Sequence, residues 1–256
     1  VKNEIKNLGN QTGYIDKESL PTLGTVSRNQ NGYPIGYFFG YKAIGVFQTQ
    51  EEIDNYISPA TGKPIQPNAV PGDTKFEDLN GDGVISDDNE DRTMIGKPNP
   101  DWMVGLTVAA DWNGFDLSAF FQGSFGADVF DALRRYELAA VNYTSDALER
   151  WTGPGTSNSM PRIVLGDTPK NFRPSTLLVH DASFLRLRNL QVGYTLPAQL
   201  TRKAYIQRLR FYASFDNLLT ITGYKGMDPE IGSTMGIDKG VYPQARVYTF
   251  GLNLTF

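Results

Sequence analysis

The sequence predicts an all-β protein, a portion of a transmembrane antiparallel β-barrel. Three observations carry that reading: period-two apolar alternation at membrane-crossing length, a two-residue hairpin turn flanked by aromatics, and connections that alternate short and long. The alternation is clearest over 244–256, where Tyr248, Phe250, Leu252, Leu254 and Phe256 are large and apolar, while Thr249, Gly251, Asn253 and Thr255 are small or polar. Successive residues of a strand face opposite sides of its sheet, and roughly 9–11 residues suffice for a tilted strand to cross a bilayer. An amphipathic strand of a water-soluble sandwich would alternate in the same way, so the other strands decide.

Four further segments do so in order. Trp102, Val104, Leu106, Val108, Ala110 and Trp112 form one apolar row, and Phe115, Leu117, Ala119 and Phe121 form the next. Between them Asn113-Gly114 suits a type I′ turn, whose two central residues both need positive φ. The turn sets Trp112 opposite Phe115, an arrangement expected of the aromatic girdle at a membrane boundary. A third strand over 184–196 carries Leu185 and Leu187 in one phase and Leu190, Val192, Tyr194 and Leu196 in the other, so a β-bulge is expected near Arg188–Asn189. The fourth, 209–215, sets Leu209, Phe211, Ala213 and Phe215 against Arg210, Tyr212 and Ser214. Residues 1–8 read as the upper end of a preceding strand. The extended piece 33–47 alternates poorly and reads as part of a hairpin-bearing external loop. Residues 128–141 and 145–151 read as helices, with Ser145 as N-cap ahead of Asp146 and Glu149.

Connection lengths reinforce the barrel. Asn113-Gly114 is minimal, 125–183 is long, 197–208 is short and 217–243 is long again. Transmembrane barrels place short turns on the periplasmic side and long loops outside, and a soluble sandwich has no reason to keep that parity.

Composition narrows the alternatives. With a mean hydropathy of −0.35, no stretch approaches the run of about 20 apolar residues that a membrane helix requires. A barrel escapes this test, because only alternate residues meet lipid. The absence of cysteine excludes disulfides, thiolate metal sites and cysteine nucleophiles. A formal charge of −4 argues against nucleic acid as a partner. Residues 1–10 lack the charged-then-apolar pattern of a signal peptide.

The sharpest local motif is Asp78-Leu79-Asn80-Gly81-Asp82-Gly83-Val84-Ile85-Ser86. It offers side-chain oxygens at positions 1, 3 and 5, glycine at 6, a carbonyl at 7 and a hydroxyl at 9, the layout of a calcium loop. Asn89 stands where a bidentate acid is expected, and in a longer loop Asp87, Asp88, Glu90 or Asp91 could take its place. The expected Ca²⁺ ligands are Asp78, Asn80, Asp82, Val84, Ser86 and Asp91, with the ion structural. A solvated Asx-rich turn would use the same residues without metal. His180, the single histidine, has no Gly-x-Ser-x-Gly partner motif and reads as a loop residue at the mouth of the third strand. The Asp87/Asp88 pair lies in a glycine-bracketed loop with no apolar pocket to raise a pKa. No catalysis is expected. External aromatics, Tyr33, Tyr37, Phe38, Phe39, Tyr41, Trp151 and Tyr224, fit loop packing better than cargo stacking. Arg186, Arg210 and Asn253 would face the interior, where pairing between strands accounts for them as well as cargo does.

Blocks between the strands carry a family resemblance. They are Gly36-Tyr37-Phe38-Phe39-Gly40-Tyr41-Lys42, Asp78-Leu79-Asn80-Gly81-Asp82-Gly83, Ile95-Gly96-Lys97-Pro98-Asn99-Pro100-Asp101-Trp102, Ser183-Phe184-Leu185-Arg186-Leu187-Arg188-Asn189-Leu190 and Gly193-Tyr194-Thr195-Leu196-Pro197. In this order they resemble the C-terminal part of the SusC/RagA-like family of TonB-dependent outer-membrane transporters. The resemblance implies a plugged barrel of about 22 strands, of which this chain would supply about six. It implies one unit over 1–256, with 9–101 a large extracellular loop region containing the calcium-type loop, and 102–256 the last five membrane strands with their loops. The implied function is import of oligosaccharides or oligopeptides across the bacterial outer membrane. A SusD-like surface lipoprotein, the remaining barrel and plug, and TonB would be the partners, TonB acting through a missing N-terminal region. A secreted calcium-stabilised glycan-binding β-domain without transport is the rival expectation. An outer-membrane enzyme or passive pore is a third.

Overall fold

The computed structural model describes residues 3–21, 23–87, 89–134, 142–231 and 235–256, and their regular structure is almost wholly β. In chain order, β1 (Tyr14–Leu20), β2 (Gly24–Gln30), β3 (Tyr37–Tyr41), β4 (Ala43–Val46), the short helix α1 (Gln50–Asp54), β5 (Thr74–Phe76) and β6 (Arg92–Gly96) come first. They lead into β7 (Trp102–Trp112), β8 (Phe115–Phe125), β9 (Asp128–Asp131), β10 (Val179–Asp181), β11 (Phe184–Thr195), the short helix α2 (Ala198–Thr201), β12 (Arg208–Thr222), β13 (Ile237–Asp238) and β14 (Val247–Thr255). Among the described residues no helix is long and apolar enough to cross a membrane, which says nothing about strands.

The five alternating segments become one antiparallel sheet in the order β14-β12-β11-β8-β7. Asn113 (φ 48°) and Gly114 (φ 88°) both take the positive φ the hairpin needs, and Trp112 pairs with Phe115. Register then lines like with like across the strands. One row runs Trp112, Phe115, Tyr194, Phe211, Leu252, and the next runs Ala110, Leu117, Val192, Ala213, Phe250. The opposite face is mostly polar, as in the row Ala109, Ser118, Gln191, Ser214, Thr249. Large apolar side chains on the first face are exposed, Trp102 at 71% and Phe250 at 75%. Soluble monomers rarely leave contiguous apolar patches beyond a few hundred Å² uncovered, so this face requires an apolar surrounding. The two flanking strands, β7 and β14, each pair on one side only in this sheet.

The expected bulge is present. β11 shifts register between Leu187 and Asn189 against both β8 and β12, leaving Arg188 without a directly opposed partner. On β12 the same irregularity is absorbed at Asn217, whose φ of 52° is left-handed. Two residues before the strand ends, Gly193 lets an ion pair cross β11: Arg210 Nε and Nη2 reach Asp116 at 2.8 and 2.5 Å. A Cβ on Gly193 would lie 2.4 Å from the Asp116 carboxylate and 2.5 Å from the guanidinium. Gly193→Val is therefore expected to break this bridge between β8 and β12 and to cost about 1–3 kcal/mol, read as a lowered denaturant midpoint. An unchanged midpoint would mean the pair rearranges freely.

The long connections all leave the sheet at the end away from Asn113-Gly114 and fold together. β1-β2-β3-β6 form one sheet, β10-β9-β13 a second and β4-β5 a ribbon. Their shared core joins distant segments, with Val26, Phe38, Phe130, Leu178 and Ile237 in one cluster. Strand β3 is buried along its whole length, whereas β4 is only partly covered, with Ile44 exposed, and pairs with β5 in its own ribbon. The poorly alternating piece 33–47 thus contributes one core strand and one surface strand to this layer.

Three local expectations need correction. Residues 128–131 form strand β9: Val129 and Phe130 are buried, and β9 pairs with β10 and β13, so tertiary pairing overrides helix propensity. Of the remainder of that expected helix, 132–134 are irregular and 135–141 lie outside the described residues. Ser145–Glu149 is a 3₁₀ helix, with Thr144 at the N-cap position and no capping side chain. Residues 3–8 are irregular, tied to the next turn by hydrogen bonds such as Ile5 N to Tyr33 O at 2.9 Å, while 1–2 lie outside the described residues.

Candidate functional site

The polar face of the sheet gathers its charge at the bulge. Arg186, 2% exposed, donates from Nη2 to Asp228 at 2.5 Å, from Nη1 to Glu230 at 3.0 Å and from Nε to the Thr220 hydroxyl at 2.9 Å. Arg188, thrown onto the same side by the extra residue, donates to Gln122 (2.6 Å), Asn217 (3.1 Å) and both Glu230 oxygens (2.6 and 2.9 Å). Two wall arginines thus hold two loop carboxylates. Burial opposes ionisation of Asp228, but backbone N–H donors of Gln244 and Glu230, together with Arg186, outweigh it and hold the carboxyl below its ordinary range. The effect is to pin 228–230 across the polar face. Of these residues the sequence pointed to Arg186 as an interior side chain and to Arg188 only as the place of the bulge. The usable signal was the pair of arginines flanking the phase slip, which demanded counter-charges.

The Asp78 loop is organised around its own backbone. Asp78 accepts from Gly81 N and Gly83 N at 2.8 Å each, Asn80 from Asp82 N at 3.0 Å, and Asp82 from Val84 N at 2.8 Å. Asp91, fully buried, closes it by accepting from Leu79 N (3.0 Å) and Ser86 N (2.9 Å). Asn80 also donates to Asp82 (3.0 Å) and Glu90 (2.9 Å). Among the described residues no three His, Cys, Asp or Glu side chains converge in a metal-ready group. Asp88 lies outside the described residues. The side-chain ligand atoms on offer are all hard oxygens, though Asp91 is buried and already uses both of its carboxylate oxygens on backbone N–H groups.

His180 sits in strand β10, a correction to its expected loop position: β10 pairs with β9, setting His180 opposite Val129. Its Nε2 lies 3.8 Å from Asp131 and its ring 6.2 Å from Tyr224. Burial, then the nearby Arg134 charge, lowers its pKa, favouring the neutral ring. The external aromatics pack. Tyr37, Phe38, Phe39, Tyr41 and Tyr224 are buried, Tyr33 stacks on Tyr37 at 4.9 Å, and the Trp151 indole donates to Gln48 at 3.2 Å.

Known proteins resemble the chain along most of its length. It is 34% identical over 238 residues to TonB-dependent receptor P3 of Formosa agariphila, covering 89% of this chain and 23% of that protein. It is 30% identical over 257 residues to the TonB-dependent receptor SusC of Bacteroides thetaiotaomicron, covering 99% of this chain and 23% of that one. The backbone superposes on the RagAB peptide importer in its open-open state with a TM-score of 0.69 and 27% identity, over 99% of this chain and 25% of that one. A second RagAB peptide transporter structure gives a TM-score of 0.67 at 27% identity, over 94% and 25%. No family model matches. The chain spans about a quarter of the length of these relatives.

Proposed function

This chain belongs to the SusC/RagA-like family of TonB-dependent receptors, and we propose that it forms part of the wall and external loops of an outer-membrane importer. The observation that carries the reading is the five-strand sheet with one continuous apolar face, a polar face behind it, and every long connection at one end. The apolar face meets hydrocarbon and the polar face borders the conduit. The single-sided pairing of β7 and β14 fits a sheet that continues into further strands of the same receptor, since unpaired backbone in lipid costs several kcal/mol per group. Cargo is an oligosaccharide or an oligopeptide, delivered by a SusD-like surface lipoprotein seated on the loop layer, with TonB driving a plug. The chain performs no catalysis.

Uptake of labelled oligosaccharides and oligopeptides by cells carrying the intact receptor tests this. Import is expected to stop when TonB is deleted. Import that persists without TonB would make the protein a passive pore, and recovery in the aqueous phase without detergent would make it a secreted module.

The Asp78 loop binds Ca²⁺ through Asp78, Asn80, Asp82, the Val84 carbonyl, Ser86 and Asp91, as a structural ion for the loop layer. Extracellular calcium modules work at about 10⁻⁴–10⁻³ M. Millimolar calcium is expected to slow proteolysis within 78–91, and Asp82→Asn to abolish that protection. Identical cleavage with calcium and with chelator would leave the loop a hydrogen-bonded turn.

A further inference from the structure

The loop layer holds a second concentration of charge, away from the bulge. Between β3, β6 and 166–174 lies a cavity of about 400 Å³ whose lining includes Tyr41, Asp87, Arg92, Lys170 and Arg173. Its second carboxylate, Asp167, is turned into its own loop, accepting from the backbone N–H groups of Asn171 and Phe172 at 2.9 Å each. Asp87 faces the cations: Lys170 donates to it and Arg173 Nη1 stands 3.7 Å away. Positive charge remains in excess along this wall. Arg92 donates from Nη1 to Asn89 at 2.8 Å and from Nη2 to the Thr25 and Phe39 carbonyls, which leaves its Nε, like Arg173 Nη1, buried with no hydrogen-bond acceptor among the described residues. Burial lowers the Arg92 pKa, and repulsion from Arg28 and Arg173 acts in the same direction.

The guanidinium groups are held in place before any ligand arrives. Arg173 lies 4.7 Å from the Tyr41 ring centroid and 5.0 Å from that of Phe76, and Arg92 lies 4.4 Å from that of Phe39. Preorganised donors lose less entropy when an anion binds. A buried donor without an acceptor gains most from one. Lys170 and Arg173 also line a second cavity of about 690 Å³, with Pro64, Ile65, Pro67 and Ile85 on its walls. A charged corner thus opens onto a less polar groove.

We propose that Lys170 and Arg173, backed by Arg92, bind the oxyanion group of a cargo molecule, a carboxylate or a sulfate, whose less polar body lies in the adjoining groove. The word cargo rests on the import reading; the binding site itself does not. Guanidinium suits both groups because its N–H fork matches paired oxygens.

Calorimetric titration of the intact receptor in detergent tests the site, using trigalacturonate, triglutamate, a sulfated disaccharide and neutral maltotriose. At least one anionic probe is expected to bind about tenfold or more tightly than maltotriose, with the advantage shrinking at high salt. Which anion binds identifies the source of the oxyanion. Lys170→Gln and Arg173→Gln are each expected to lose about tenfold for that probe and nothing for maltotriose. Lys170 is half-exposed, so its variant keeps the test open should the Arg173 variant misfold. Failure of all three anions to bind, equal affinity for maltotriose, or indifference to Lys170→Gln would overturn the site. Intact anion binding with TonB-independent uptake would overturn the import reading instead.

Discussion

Arg186→Met is expected to destabilise the intact receptor by about 3–5 kcal/mol, the cost of leaving a buried carboxylate without its partner. Arg186 and Asp228 are both almost fully buried, so solvent offers little compensation. Equilibrium denaturation from lipid vesicles, followed by tryptophan fluorescence, measures the loss. Replacing Asp228 and Glu230 by Asn and Gln in the same background should recover part of it, because neutral amides need no counter-charge. A cost below about 1 kcal/mol, the range of exposed pairs, would show the cluster to be solvated. The pH dependence has a defined sign. Because the folded pKa of Asp228 lies below its ordinary value, its contribution is complete above the unfolded value of about 3.9. That contribution is lost as pH falls through the lower folded value. Acidification should therefore free 228–230 from the wall, and the change should vanish in Asp228→Asn.

Val108→Arg is the second large effect, expected at about 2–4 kcal/mol, while Thr107→Arg one residue earlier should cost less than about 1 kcal/mol. Both positions lie midway between Trp102 and Trp112 on β7, so depth is matched and only the face differs. Val108 shares its row with Ala119, Leu190, Phe215 and Tyr248; Thr107 shares its own with Phe120, Asn189 and Asp216. Vesicle-based unfolding of the two variants gives the comparison. Equal costs would remove the lipid face from the argument.

How much was legible follows from the range of the forces involved. The Asn113-Gly114 turn, the existence and pairing face of the five alternating strands and the bulge at Arg188 are set by neighbours in sequence and were readable. But β12 runs on to Thr222, past the expected end at 215, where it pairs with 184–187. Strand β9 was not, because 128–131 becomes β through pairing with 179–181 and 237–238, which no local pattern announces. The same holds for Asp228 and Glu230, whose role depends on arginines more than forty residues away. His180 illustrates the limit from the other side. Reading it as a structural residue rested on the lack of a partner motif alone, whereas its place in a strand beside Asp131 required the folded chain.

The gathering of every long connection at one end also imposes an order of assembly. The β7–β8 hairpin closes over two residues and can form at once, whereas pairing β8 with β11 must first bring together the ends of 126–183. Closure entropy grows only slowly with that length, but non-local contacts still form late. Prior folding of the intervening segment, drawn together by Phe130 and Leu178 in a common core, would shorten the search. Maturation of the outer layer and zipping of the wall are then steps of one process, and damage to the Phe38 cluster should surface first as a slow-folding defect in strands it never touches.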